Sequence, residues 1–341
     1  MNKKKRKLSR GVIATIVTLA LAVVFVSAVL ITNIFIPVKY LTAYTVKGNG
    51  NARGALRVTF AEVGFGDCAL IELPDGKTAL IDGGDGSYPT ELKVLKLLNK
   101  RKVSKIDYLF CTSVKKEHCG GLAEVVKYKS VAHAFIPYCL NSRITDEFHN
   151  FSVALKNAGT QITYACAGEG VYGVDYEYFI TFLSPADYRS PKSQYAQLNA
   201  NPTAANIENA SSVIWVQYGG TAVAFTSDVR AEGLAQIVED YRLCKQLNQP
   251  YCPVGGYEVD MNYCKVVTVP AHGGEKNTYA PWYDLINPQQ AIISVGKNFA
   301  DYPSLKALSD VCNYCQPLYT MHNGDITLTV DMGGYKIESA A

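Results

Sequence analysis

Residues 109–122, LFCTSVKKEHCGGL, constrain this chain more than any other stretch. An apolar run, residues 106–111, ends in a short polar loop, and Gly120-Gly121 then opens a helical pattern. Strand, polar loop and helix in that order is how an open sheet presents side chains from its strand ends, where ligands are commonly held. Ser113, Lys115, Glu117 and His118 all lie in the loop. Carboxylate and imidazole are metal-ligand types, whereas an ammonium has no lone pair to donate and repels a cation. One loop therefore carries groups that attract a metal and a group that opposes one.

Residues 11–38 contain no ionisable side chain. As a helix this stretch is roughly 40 Å long, more than the hydrocarbon core of about 30 Å. A cleaved leader ordinarily has an apolar region of about 7–15 residues, so a retained anchor is the expectation, although Val26-Ser27-Ala28 resembles a weak cleavage site. Six Lys/Arg and no acid occupy the first ten residues, and such a flank stays in the cytoplasm. The expected organisation is a basic cytoplasmic tail (1–10), a transmembrane anchor (11–38), a linker (39–54) and one domain (55–341). That makes a single-pass protein of the cell membrane with its C-terminal domain extracellular, its partner the membrane itself.

Net charge is +3 overall, and removing those six bases leaves 27 basic against 30 acidic residues, a net of −3. Such a balance excludes a domain that gathers nucleic acid by bulk attraction. Ten cysteines permit disulfides outside the cell without revealing connectivity. Cys244, Cys252 and Cys264 bracket an irregular segment, 247–262, and are the better pairing candidates. Cys312-x-x-Cys315 lacks the strand that leads into a redox motif.

Strands are expected at 56–63, 68–73, 78–81, 106–111, 178–183, 213–218, 222–226, 266–269 and 291–295, with a closing hairpin over 326–337. Helices are expected at 90–100, 148–158, 232–247 and 304–315. Short strands in two groups with intervening helices imply two mixed sheets packed face to face with helices outside. Many strands end in chemistry-bearing phrases: Gly66-Asp67, Asp82-Gly83-Gly84, Ser227-Asp228 and Pro270-Ala271-His272-Gly273. His133, His149 and His322 have no motif around them and read as structural.

Taken in order, these phrases resemble the extracytoplasmic domain of ComEC-type DNA-internalisation competence proteins, within the metallo-β-lactamase superfamily. The resemblance covers residues 56–337. It is carried by residues 60–67 (FAEVGFGD), 74–84 (PDGKTALIDGG), 225–228 (FTSD), 269–274 (VPAHGG), 293–296 with 301–304 (ISVG, DYPS) and 323–326 (NGDI). It implies an α/β (α+β) αββα sandwich. In the family's T-H-x-H-x-D-H loop one metal rests on the first two histidines and a second on the Asp-His pair and a later His, with a bridging Asp between. Here histidine is absent at Ser113, Lys115, Ala271 and Tyr302, and the first site is expected to be lost. Glu117, His118, Asp228 and His272 remain, two carboxylates and two imidazoles suited to one zinc or manganese ion; one metal and none both stay open. Lys115 has two readings, a solvated charge or an anion-binding ammonium in the space of the lost metal. The expected function is a membrane-anchored relative of DNA-uptake proteins, non-catalytic or weakly active. The alternative is a single-metal hydrolase, a phosphodiesterase acting on a phosphodiester or nucleic acid, in which Asp228 and Glu117 assist the reaction.

Overall fold

In the computed structural model the described residues are 10–35, 54–174, 177–253, 256–297 and 301–340. The chain divides into two units, Met1–Val46 and Lys47–Ala341. The first contributes a helix, Arg10–Phe35, of 26 residues, with Leu19, Leu21 and Phe25 among its exposed apolar side chains. Among the described residues no helix is long and apolar enough to cross a membrane, and 36–38 of the expected anchor, with most of the linker, lie outside them. The anchor therefore rests on the sequence.

The second unit is built on period-2 strands. Its strands are β1 (Leu56–Phe60), β2 (Ala69–Glu72), β3 (Thr78–Ile81), β4 (Lys105–Phe110), β5 (Ser130–Ile136), β6 (Gln161–Tyr164), β7 (Gly170–Tyr172), β8 (Tyr178–Ser184), β9 (Val213–Tyr218), β10 (Thr221–Phe225), β11 (Cys264–Thr268), β12 (Gln290–Ile293), β13 (Pro317–Tyr319), β14 (Ile326–Asp331) and β15 (Gly334–Ser339). They form one sheet in the order β15-β14-β1-β2-β3-β4-β5-β6 and another in the order β13-β12-β11-β10-β9-β8-β7. Both are mixed. In the first, β3, β4, β5 and β6 run parallel; in the second, β10, β11, β12 and β13 do.

Alternate side chains of each strand go to opposite layers. Ala69, Ile71, Ile81 and Phe110 face an inner layer shared with Ile180, Phe182, Ile214, Val216 and Phe225 of the other sheet. Phe60 meets Phe225 across that layer with centroids 5.5 Å apart, and Phe110 meets Phe182 at 5.7 Å. Leu70, Leu80, Ile106 and Leu109 face outward onto Val94 and Leu98 of the helix Tyr88–Lys100 and onto the helices Leu122–Tyr128 and Asp146–Ala158. Val213, Trp215, Ala224 and Val267 face outward onto the helices Ala231–Gln246 and Ala280–Ile286. Helices thus cover both outer faces, a two-sheet sandwich of metallo-β-lactamase type.

The expected elements stand, β3 and β9 at their expected bounds and the others with ends moved by one to three residues; the strands β5, β6, β7 and β13 and the helices Gln194–Ala200, Ala204–Asn209 and Ala280–Ile286 are additions. β5 reads SVAHAFI, whose polar interruptions hide its pairing between β4 and β6. The pairing expectation for Cys244, Cys252 and Cys264 is not met: all ten cysteines, each among the described residues, are free thiols. Cys264 is buried on β11 with Sγ 3.3 Å from Val266 O, pointing along its own sheet. His133 is satisfied by Thr163 Oγ1 at 2.8 Å.

The glycine phrases are where loops touch. A Cβ on Gly121 would lie 2.2 Å from Gly83 O, and one on Gly83 would lie 2.9 Å from Leu122 N. Gly121→Ala is expected to destabilise the domain by roughly 3 kcal/mol through backbone displacement. Gly220, with nothing within 4 Å of its would-be Cβ, is expected to tolerate Ala within about 0.5 kcal/mol. Denaturant midpoints of the two variants test the contrast.

Candidate metal centre

Parallel strands end side by side, so their carboxyl-terminal loops meet, which is where open sheets hold ligands. From the first sheet come Asp82 after β3 and residues 112–118 after β4. From the second come Ser227 and Asp228 after β10 and the turn Pro270–Gly273 after β11. Backbone bonds stitch the loops: Gly83 N donates to His118 O (2.7 Å), Gly84 N to Asp67 O (2.8 Å), Asp67 N to Glu117 O (3.0 Å) and Ala271 N to Ser227 O (2.8 Å). Asp82, Ser227, Ala271 and His272 all have positive φ, 57°, 47°, 46° and 57°. Such conformations cost of order 1–3 kcal/mol each and persist where the surroundings impose them, typically at functional sites.

A buried polar chain joins the sheets. Asp82 Oδ1 accepts from Thr112 N at 2.8 Å, and its Oδ2 accepts from Thr112 Oγ1 at 2.6 Å and from His118 Nδ1 at 2.9 Å. Since Thr112 Oγ1 gives its proton to Asp82, Ser227 Oγ at 2.6 Å donates to Thr112. Beneath lies a cavity of about 20 Å³ lined by Asp67, Asp82, Thr112, Ser227, Thr268 and Ser294, large enough for one water.

The two histidines are set by what their Nδ1 atoms meet. His272 Nδ1 lies 2.7 Å from Ser294 O; a carbonyl only accepts, so Nδ1 carries the proton and Nε2 keeps its lone pair. His118 Nδ1 donates to Asp82. Carboxylate and carbonyl partners of this kind are the usual orienting groups behind metal-binding imidazoles. His118 Nε2, His272 Nε2 and Asp228 Oδ1 are buried with no hydrogen-bond partner. His118 Nε2 and Asp228 Oδ1 are only 3.1 Å apart, two lone-pair atoms that need a proton or a cation between them. Asp67 adds another oxygen, Oδ2 3.5 Å from His118 Nδ1 and Oδ1 4.0 Å from His272 Nδ1. Asp67, His118 and His272 each place a ligand atom within 4.8 Å of one another.

Electrostatics follow from burial against charge. Burial opposes a charge on His118, but Asp228 and then Asp82 outweigh it and hold its pKa well above the ordinary histidine value. Burial likewise opposes the Asp228 carboxylate, and His118, Lys115 and His272 hold it well below the usual range. At Asp67 burial wins and the pKa rises, the histidines offsetting it only in part. Glu117 is lowered against its burial chiefly by Lys115.

The residues named from sequence divide accordingly. His118, Asp228 and His272 stand at the centre. Glu117 turns away, its Oε1 2.8 Å from Lys115 Nζ. Lys115, expected either solvated or open to an anion, meets the chain's own carboxylates, with Nζ 2.6 Å from Asp228 Oδ2. Asp67, named from sequence only within the phrase Gly66-Asp67 and not among the metal ligands, lies close to both histidines. Its signal was its place in Gly66-Asp67, close to the strand-end phrases in space but far from them in the chain. Ser113 bonds Ser211 Oγ at 3.1 Å. Tyr302 stacks on Phe65 with centroids 6.0 Å apart, and Phe65 lies 4.4 Å from the His272 ring.

Strand-end loops of two packed mixed sheets, meeting over buried histidines and carboxylates, define a metallo-β-lactamase-like protein. Within that class the chain is ComEC-like. It is similar to ComE operon protein 3 of Bacillus subtilis (strain 168), 24% identical over 256 residues, which is 71% of this chain. The match spans 28% of that protein's length, little more than a quarter. No family model matches the chain. Among solved structures, CmlA, a diiron β-hydroxylase from Streptomyces venezuelae, is 12% identical with a TM-score of 0.44, over 83% of this chain and 55% of its own. A mutant metallo-β-lactamase from Cronobacter sakazakii is 14% identical with a TM-score of 0.32, over 55% and 70%.

Asp82→Asn is expected to lower stability by about 3 kcal/mol, since it removes the charged acceptor shared by Thr112 and His118 in a buried site. Urea unfolding beside the wild type measures this.

Proposed function

We propose that this chain is a single-pass membrane protein displaying a ComEC-like metallo-β-lactamase domain that holds one divalent cation, zinc or manganese, and is non-catalytic or weakly active. The observation that carries the metal is the trio of buried, unpartnered atoms, His118 Nε2, His272 Nε2 and Asp228 Oδ1. Asp82 and Ser294 O hold both imidazoles through Nδ1, which leaves Nε2 of each to a metal ion; at His118 the ion would replace the proton that Nε2 shares with Asp228. The residues therefore fit one metal ion, held by His118, His272 and a carboxylate from Asp67 or Asp228. Bound there, the ion would supply Lewis-acid chemistry toward a water and a phosphoryl oxygen. Weak activity follows from the surroundings: Glu117 is engaged by Lys115, and Phe65 and Tyr302 pack over the His272 side. A role beside DNA uptake is carried by the sequence resemblance alone, and net −3 outside the basic tail gives no bulk pull on a polyanion.

The membrane reading is supported by the sequence, in which residues 11–38 carry no ionisable side chain and follow a basic flank of the kind that stays inside the cell. Deleting residues 1–38 is expected to move the protein from the membrane pellet to the soluble fraction. A deletion that still pellets, resisting carbonate extraction, would refute the anchor.

For the site, elemental analysis of the detergent-solubilised chain is expected to find about one zinc or manganese per chain, and far less in His118→Ala and His272→Ala, as expected for loss of a ligand. Hydrolysis of bis(p-nitrophenyl) phosphate is expected to differ little between wild type and His118→Ala. Metal-dependent cleavage abolished by His118→Ala would instead establish the single-metal phosphodiesterase, in which Asp228 and Glu117 would assist. No stoichiometric metal in folded protein offered both ions would leave a binding module.

A further inference from the structure

The half of the site that lost its histidines is filled rather than open. Lys115 Nζ lies 2.6 Å from Asp228 Oδ2 and 2.8 Å from Glu117 Oε1, with Glu208 Oε1 at 3.9 Å. Ammonium–carboxylate bonds of that length are charge-assisted and strong. Asp228 is fully buried and the Lys115 side chain only 29% exposed, so water screens the pair little. Ser113, at the other lost histidine, is bonded away to Ser211. This half offers a metal no nitrogen lone pair and already holds a positive charge, so the donor set does not fit a first metal ion.

Asp228 divides its two oxygens: Oδ2 takes the ammonium, while Oδ1 faces His118 Nε2 at 3.1 Å. A carboxylate placed between two cationic positions thus has one of them supplied by the polypeptide. Lys115 can reach it because it extends from the loop residue that immediately precedes the short helix Lys116–Cys119, with φ −75° and ψ 147°. The charge is held from outside as well. Glu208 Oε2 pairs with Arg230 Nη1 at 3.1 Å, and Arg230 Nε with Glu232 Oε2 at 3.2 Å, so Glu208 already has a cationic partner of its own.

We propose that Lys115 is a tethered cation standing in for the first metal ion, holding Asp228 and Glu117 together so that this half of the site folds without metal and excludes one. The inference deepens the one-metal reading, because it says why the count stops at one. It concerns the charge that Asp228 requires, and stands whether or not the remaining half is loaded.

Two substitutions in the full chain, in detergent, test it. Lys115→Met keeps the length and removes the charge. With metal stripped, its Tm is expected to fall by roughly 5–10 °C, as when one partner of a buried ion pair is lost. Lys115→His supplies an imidazole lone pair, and after exposure to zinc alone it is expected to bind about one ion per chain more than wild type. A Lys115→Met protein melting within about 2 °C of wild type, or a Lys115→His protein with the wild-type zinc count, overturns the proposal. If Lys115→Met does not accumulate, Lys115→Arg carries the reading. Wild-type stability and zinc count support a charge role, and failure of that variant too overturns it. The wild-type count alone decides the one-metal reading, and the difference between wild type and variants alone decides this one.

Discussion

One buried carboxylate, Asp82, organises the site. It closes β3, accepts from both Thr112 donors, and fixes the His118 ring through Nδ1. Through Thr112 it reaches Ser227 of the opposite sheet at 2.6 Å. Two sheets whose apolar faces would pack in many registers are thereby pinned at one edge by directional bonds. Hydrophobic burial supplies the cohesion but not the alignment. The positive φ angles at Asp82, Ser227, Ala271 and His272 are what such pinning costs: the loops take conformations their side chains disfavour because the polar chain and the close glycine contacts leave no other.

Charge explains the rest. Asp67, Asp82, Glu117 and Asp228 gather where sheet and helix cover exclude water, and burying carboxylates together is unfavourable unless cations join them. Lys115 answers Asp228 and Glu117 on one side. On the other, His118 lies between Asp82 and Asp228, where a proton or a metal ion serves the same electrostatic need. The framework needs positive charge at fixed points, and an ammonium, a proton or a metal ion can each provide it.

Much of this architecture was legible before any coordinates. Period-2 apolar strands, amphipathic helices and Gly-Asp turns are local properties, so β3 and β9 were expected at their observed bounds and most other elements within one to three residues. β5 and β6 were not, because SVAHAFI and QITY carry weak alternation and are strands only by virtue of neighbours far off in the chain. The disulfide expectation failed for a related reason: spacing in sequence says nothing about where Cys264 points once β11 is buried.

The sequence by itself determined which groups were available: His118, His272, Asp228 and Glu117 at strand ends, and Lys115 and Ser113 where histidines were missing. Only the tertiary structure decided their partners. It turned Glu117 toward Lys115, brought Lys115 onto Asp228 across 113 residues of chain, and drew Asp67 to the histidines. The physical reason is that a side chain's role at such a site depends on charge and lone-pair direction within about 4 Å. Distances of that order are fixed by how the two sheets close on each other, which local sequence does not encode.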